Sequence, residues 1–263
     1  MKGILQYRFA VGEKHLSQTI ILSIVGLALF LSLFFYYYTR EPVADYLPYH
    51  PYPKEGHIFS SSIHHTLIFL LPPFSFLLGI PLGNRFLADD FQSGRFRMIA
   101  ISGKGKKEFF RQSAFLGICT GLIVVFNLWL LLFLLMSPLW FTEEWSIVLQ
   151  TCGTALFLSL LLYALAFYLA AILSLLFRNS LYGGGALFLL FIALWLIALN
   201  ITNGEGILLE KAPFLIGWIP LGGWSHMARY PMEYSLFIPI LGGAALLFGS
   251  RKLCGVVYDK AEA

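Results

Sequence analysis

Side chains able to do chemistry are scarce in this chain and gather in two places. The first is a basic stretch from Arg85 to Arg111. It sets Arg85, Arg95, Arg97, Lys104, Lys106, Lys107 and Arg111 against Asp89, Asp90 and Glu108, an excess equal to the formal net charge of +4 of the whole chain. Within it, Ser102-Gly-Lys-Gly-Lys-Lys107 has the look of a phosphate-binding loop. Such a loop needs glycine at position 98 and Ser or Thr directly after Lys104. Met98 and Gly105 stand there instead, so the chain has no route to nucleotide hydrolysis through this segment.

The second place holds His50, His57, His64, His65 and His226, with Asp45 and Glu55 nearby in sequence. Imidazole is a common metal ligand and general base. Their spacing matches no compact ligand motif, and no metal site is expected. If these groups did work, it would be that of a membrane enzyme, such as a lipid-modifying transferase. The chain would then turn over substrate alone; a passive channel or scaffold is a further alternative. Cys119, Cys152 and Cys254 form no C-x-x-C pair and lie in or beside apolar segments, as small packing residues do.

The elements that must position these groups are membrane helices. The 263 residues are 58% hydrophobic and 12% charged, with a mean hydropathy of +0.76. Soluble domains carry about 25% charged residues. Six spans are expected. The first is 17–38, whose Ile, Leu, Val and Phe residues contribute about −4 to −7 kcal/mol to insertion. The second, 63–83, contains Pro72, Pro73 and Pro81 and should be kinked or broken. The others are 113–136, 147–177, 181–199 and 234–250. Residues 1–16 alternate basic and apolar groups, as a surface-lying helix does. Within 200–233, the apolar run Ala212–Trp224 is interrupted by proline and glycine and is too short to span, which points to a re-entrant hairpin.

Charge gives the orientation. With both termini and the loops at 84–112 and 178–182 on one face, that face holds fourteen of the 18 lysines and arginines. Such an excess marks the cytoplasmic side, so the basic pI is explained without nucleic acid. The expected spans contain no Asp, Glu, Lys or Arg, which argues against a proton-coupled carrier or an intramembrane hydrolase. Asn127 stands alone in the third span and is expected to bond to a neighbouring helix.

The basic stretch also has internal order. Asp89-Asp90 closes the second span, Ser93-Gly94 allows a turn, and Arg95-Phe-Arg-Met-Ile-Ala-Ile101 follows. Phe96 with Ile99, and Met98 with Ile101, share faces at helical spacing. Ser102-Gly103 ends that piece, and Lys106-Lys107-Glu108-Phe109 opens the next span.

This arrangement resembles the permease subunit of ABC-2 type exporters. The resemblance covers nearly the whole chain in topology, and about twenty-five residues in motif. It departs from many members in having Ser102-Gly103 where proline is common. It implies an all-α polytopic membrane protein, a single transmembrane domain with cytoplasmic termini, residues 1–16 as an elbow helix, and a coupling helix in the loop 84–112. It implies that Arg95, Phe96, Arg97, Met98, Ile99 and Ile101 dock an ATPase subunit, supported by Asp89, Asp90, Gly94 and Glu108. ATP and magnesium would sit in that separate ATPase, with no cofactor in this chain. The other implied partners are a second permease chain, membrane lipid and, at the outer loops, an extracytoplasmic protein. The implied location is a cell membrane, the inner membrane of a bacterium.

Overall fold

The computed structural model describes residues 58–89, 106–135, 145–202 and 237–260, all of them in the compact unit Lys54–Ala263. Every described element is helical: α1 (Ile58–Gly83), a π-helical turn (Asn84–Ala88), α2 (Lys106–Leu135), α3 (Trp145–Phe177), α4 (Ser180–Thr202) and α5 (Phe237–Lys260). Two stretches, Lys107–Leu131 and Ala155–Phe177, are long and apolar enough to cross a membrane. Residues 1–57, which carry the expected surface helix and first span, lie outside the described residues, as do 203–236.

Helix limits differ from the expected spans where packing extends a helix beyond its apolar run. α1 neither breaks nor ends at its three prolines. Past Pro81 the ladder widens into the π turn, where the Asp89 N–H donates to the Asn84 carbonyl five residues back. Such local widening is one way a proline-bearing membrane helix re-satisfies its backbone. α2 starts at Lys106, seven residues before the expected Ser113. Phe109 is buried there, Glu108 lies in the first turn where the helix dipole favours an acid, and Gln112 Nε2 donates to Glu108 Oε1 at 3.0 Å. α5 continues to Lys260 because Cys254 and Tyr258 prolong its buried stripe through Leu247 and Ser250.

α3 is the centre. Most of its apolar span is buried, whereas most of that of α2 is not. Contacts fix the helix directions. Gly79 of α1 faces Tyr163 and Ala166, and Gly83 faces Phe167, so α1 and α3 run parallel. Gly121 of α2 lies on Tyr163 and Gly117 on Phe167, and Trp129 Nε1 donates to the Cys152 carbonyl at 3.1 Å, so α2 runs antiparallel to α3. Gly183 of α4 meets Ser174, and Gly243 of α5 meets Leu161. Tyr258 near the end of α5 packs on Phe110 near the start of α2, so α5 runs parallel to α3 and the helices α1 to α5 alternate in direction.

Two G-x-x-x-G spacings make this packing possible. Gly79 and Gly83 let the α1 and α3 backbones approach; a Cβ on Gly83 would lie 2.1 Å from the Phe167 carbonyl oxygen. Gly117 and Gly121 form a notch in α2 that receives the rings of Tyr163 and Phe167, four residues apart on α3. The Tyr163 hydroxyl donates to the Gly117 carbonyl at 2.7 Å, so the buried phenol is satisfied within the notch. Small residues at four-residue spacing are the usual means of close helix approach in membranes, where dispersion drives association.

Gly83→Ala should lower stability by about 2–3 kcal/mol, because its methyl meets backbone that cannot rotate away. Gly153→Ala, with open space around it on α3, should raise stability by about 0.5–1 kcal/mol. Denaturant unfolding in detergent micelles would compare the two; equal effects would mean that the α1–α3 approach does not hold the bundle.

Candidate functional site

All the charged residues of the described helices lie at one end of the bundle. These are Arg85 and Asp89 at the end of α1, Lys106, Lys107, Glu108 and Arg111 at the start of α2, Arg178 between α3 and α4, and Arg251, Lys252, Asp259 and Lys260 near the end of α5. Lys107, Glu108, Arg111, Arg178 and Lys260 are exposed, and Lys252 Nζ sits 4.6 Å from the centre of the Phe248 ring. At the same end, Phe110 of α2 packs on Tyr258 of α5, ring centres 4.9 Å apart.

Both described residues that flank 90–105, Asp89 and Lys106, lie at this charged end. Of the residues singled out by sequence, Asp89 is half-buried at the tip of α1 and Glu108 is exposed on the first turn of α2. Asp90, Gly94, Arg95, Phe96, Arg97, Met98, Ile99 and Ile101 fall in that segment and lie outside the described residues. His64 and His65 are on α1, while His50, His57 and His226 lie outside the description. Among the described residues no three His, Cys, Asp or Glu side chains come together as a metal site would require. Cys119, Cys152 and Cys254 are free thiols, the last two buried.

Composition did not single out Asn84. It is the first residue of the π turn and is buried. Its Nδ2 donates to the Ser180 carbonyl at 3.0 Å, and its Oδ1 accepts from Ser174 Oγ at 2.6 Å. One carboxamide thus ties α1 to the end of α3 and the start of α4. Gly184 makes room for it, since a Cβ there would lie 2.8 Å from Asn84 Nδ2. The available signal was an asparagine directly after a G-x-x-x-G pair, hidden because 84–112 reads as one polar loop.

The corner that Asn84 grips is itself closely bonded. Arg178 takes φ 53°, the left-handed region. Its N–H donates to the Leu175 carbonyl at 3.3 Å, and the Asn179 N–H donates to the Ser174 carbonyl at 3.1 Å. This pair of bonds is the Schellman closure of α3. Asn179 then caps α4, its Oδ1 accepting from the N–H groups of Leu181 at 2.8 Å and Tyr182 at 3.3 Å. The opposite outcome holds at Asn127. Asn127 is exposed, and its Nδ2 donates to the Ile123 carbonyl of its own helix at 2.7 Å; no bond from it to a neighbouring helix is found among the described residues.

Arg178→Gly should stabilise the protein by about 1 kcal/mol by relieving the left-handed backbone, and Asn179→Ala should cost about 1 kcal/mol through the lost cap. Unfolding midpoints of the two variants should move in opposite directions.

Comparisons with protein-family models, with curated proteins and with solved structures find no match to this chain.

Proposed function

We propose that the chain is the permease subunit of an ABC-2 type exporter. In this account it spans a cell membrane six times with both termini in the cytoplasm. Spans at 17–38 and 63–83 precede a cytoplasmic coupling loop at 84–112, and spans at 113–136, 147–177, 181–199 and 234–250 follow it. Residues 1–16 form an elbow helix and 200–233 a re-entrant outer region. Two permease chains enclose the export path. A separate ATPase, which carries ATP and magnesium, docks on the short helix at 95–101 through Phe96, Met98, Ile99 and Ile101, flanked by Arg95 and Arg97.

The observation that supports this proposal is that the helix entering 90–105 ends, and the helix leaving it begins, at the bundle end where the charges of the described helices gather. Charge of predominantly basic sign at one end of alternating apolar helices fits a cytoplasmic face. A membrane setting also accounts for the large apolar side chains exposed along the bundle, among them Phe115, Ile123, Phe126, Leu181, Leu189 and Phe248. In this account the energy source lies outside the chain. ATP-driven closure of the partner supplies it by binding nucleotide differently in two conformations of the complex.

Phe96→Asp should leave membrane insertion unchanged and abolish copurification of an ATPase subunit in mild detergent. Retention of that partner at wild-type yield would sink the docking assignment.

A further inference from the structure

We propose that the outward face of α2 is where a second copy of this chain docks, with Asn127 of each copy hydrogen-bonded to its counterpart. Asn127 sets this face apart from the other exposed apolar surfaces. It is exposed, and it lies about 21 Å along α2 from Ser113, where the apolar run begins, at about 1.5 Å per residue. A hydrocarbon core is about 30 Å thick, so the carboxamide sits well inside it. One of its N–H groups goes to the Ile123 carbonyl of the same helix at 2.7 Å. The second N–H and Oδ1 have no partner among the described residues. Lipid tails offer none, and a polar group left unpaired in hydrocarbon is costly.

The residues around Asn127 have the spacing of a helix–helix seam. Leu116, Thr120, Ile123, Asn127 and Leu130 recur at alternate steps of four and three, the period of two helices wound together. The last three are exposed, and Leu116 and Thr120 are half-buried. Gly117, Gly121, Val125 and Leu128 lie on another side of the helix and are buried, the two glycines against α3. The bundle therefore fills one face of α2 and leaves the face that carries Asn127 open.

Depth and self-complementarity identify the occupant. Two copies inserted alike keep their charged ends on one side of the membrane, so the twofold axis between them runs along the membrane normal. Their α2 helices then run parallel, and each residue of the seam meets its own counterpart at the same depth. A carboxamide both donates and accepts. Facing its copy, each Oδ1 accepts the N–H that the other has left over, and one reciprocal pair satisfies both. An unrelated helix would need a polar group at that depth by coincidence. A single asparagine in such a seam also fixes register and helix number. The inference rests on the membrane setting of the export proposal and locates the second chain that the proposal requires.

Energy transfer between donor-labelled and acceptor-labelled full-length chains, diluted with lipid in phosphatidylcholine vesicles, tests it. The wild type should associate, and Asn127→Leu should raise the half-association protein-to-lipid ratio about threefold to thirtyfold, the range expected for one interhelical hydrogen-bonded contact in a membrane. The unfolding midpoint of the monomeric variant in micelles should not fall, since Asn127 bonds only its own helix among the described residues. In a Cys119→Ser chain, Ile123→Cys should give disulfide-linked dimers on oxidation, and Leu253→Cys on the exposed face of α5 should not. The proposal is overturned if the wild type stays monomeric at every dilution, if Asn127→Leu associates as tightly as the wild type, or if Leu253→Cys cross-links in place of Ile123→Cys. An ATPase retained by Phe96→Asp would sink the export assignment alone and leave these association measurements unaltered.

Discussion

The bundle depends on how closely three helices approach along one stretch of α3. Residues Tyr163 to Phe167 meet α1 at the backbone, through Gly79 and Gly83, and meet α2 through their rings, which enter the Gly117–Gly121 notch. Both contacts use the same spacing of four residues, because glycines four apart line one helical face. Inside a membrane, water expulsion does not drive helices together, so contact distance decides stability. Side chains at these glycines would push the helices apart at the position where α3 is most buried.

Polar groups follow the same logic. Ser75 and Ser159 are buried and return their hydroxyls to the carbonyls of Leu71 and Ala155, one turn back in their own helices. They are satisfied without specifying a neighbour. Asn84 and Tyr163 differ, since they bond across helices and so define how α1, α2, α3 and α4 register. Their positions are complementary: Tyr163 lies mid-bundle, and Asn84 lies at the charged end from which the 90–105 segment leaves.

Much of the helical framework was legible in the sequence. Apolar runs located α3 and α4 to within a few residues, and the lysines and arginines separated one bundle end from the other. The limits of α1, α2 and α5 were not legible. Hydrophobicity ends where charge begins, whereas a helix ends where its backbone bonds end. Phe109, Cys254 and Tyr258 keep α2 and α5 helical through residues that composition assigns to a loop and a tail. The three prolines of α1 suggested a kink or a break; the helix runs through them unbroken and widens into the π turn beyond Pro81. Asn127 looked like an interhelical bond because it stands alone in an apolar span, yet among the described residues its amide donates to its own helix. Sequence shows that a polar group needs a partner but not which one.

By itself, then, the sequence determined the chain's helical, apolar character and the separation of its charged residues from its apolar runs. These follow from composition and short-range spacing, which survive without knowing which helices touch. Only the tertiary structure decided that α3 is central, that the two G-x-x-x-G pairs serve it from different sides, and that Asn84 joins α1 to Ser174 and Ser180, residues 90 and 96 positions away. The physical reason is range: glycine notches and buried amides acquire meaning from the surface that fills them, and that surface comes from a distant part of the chain.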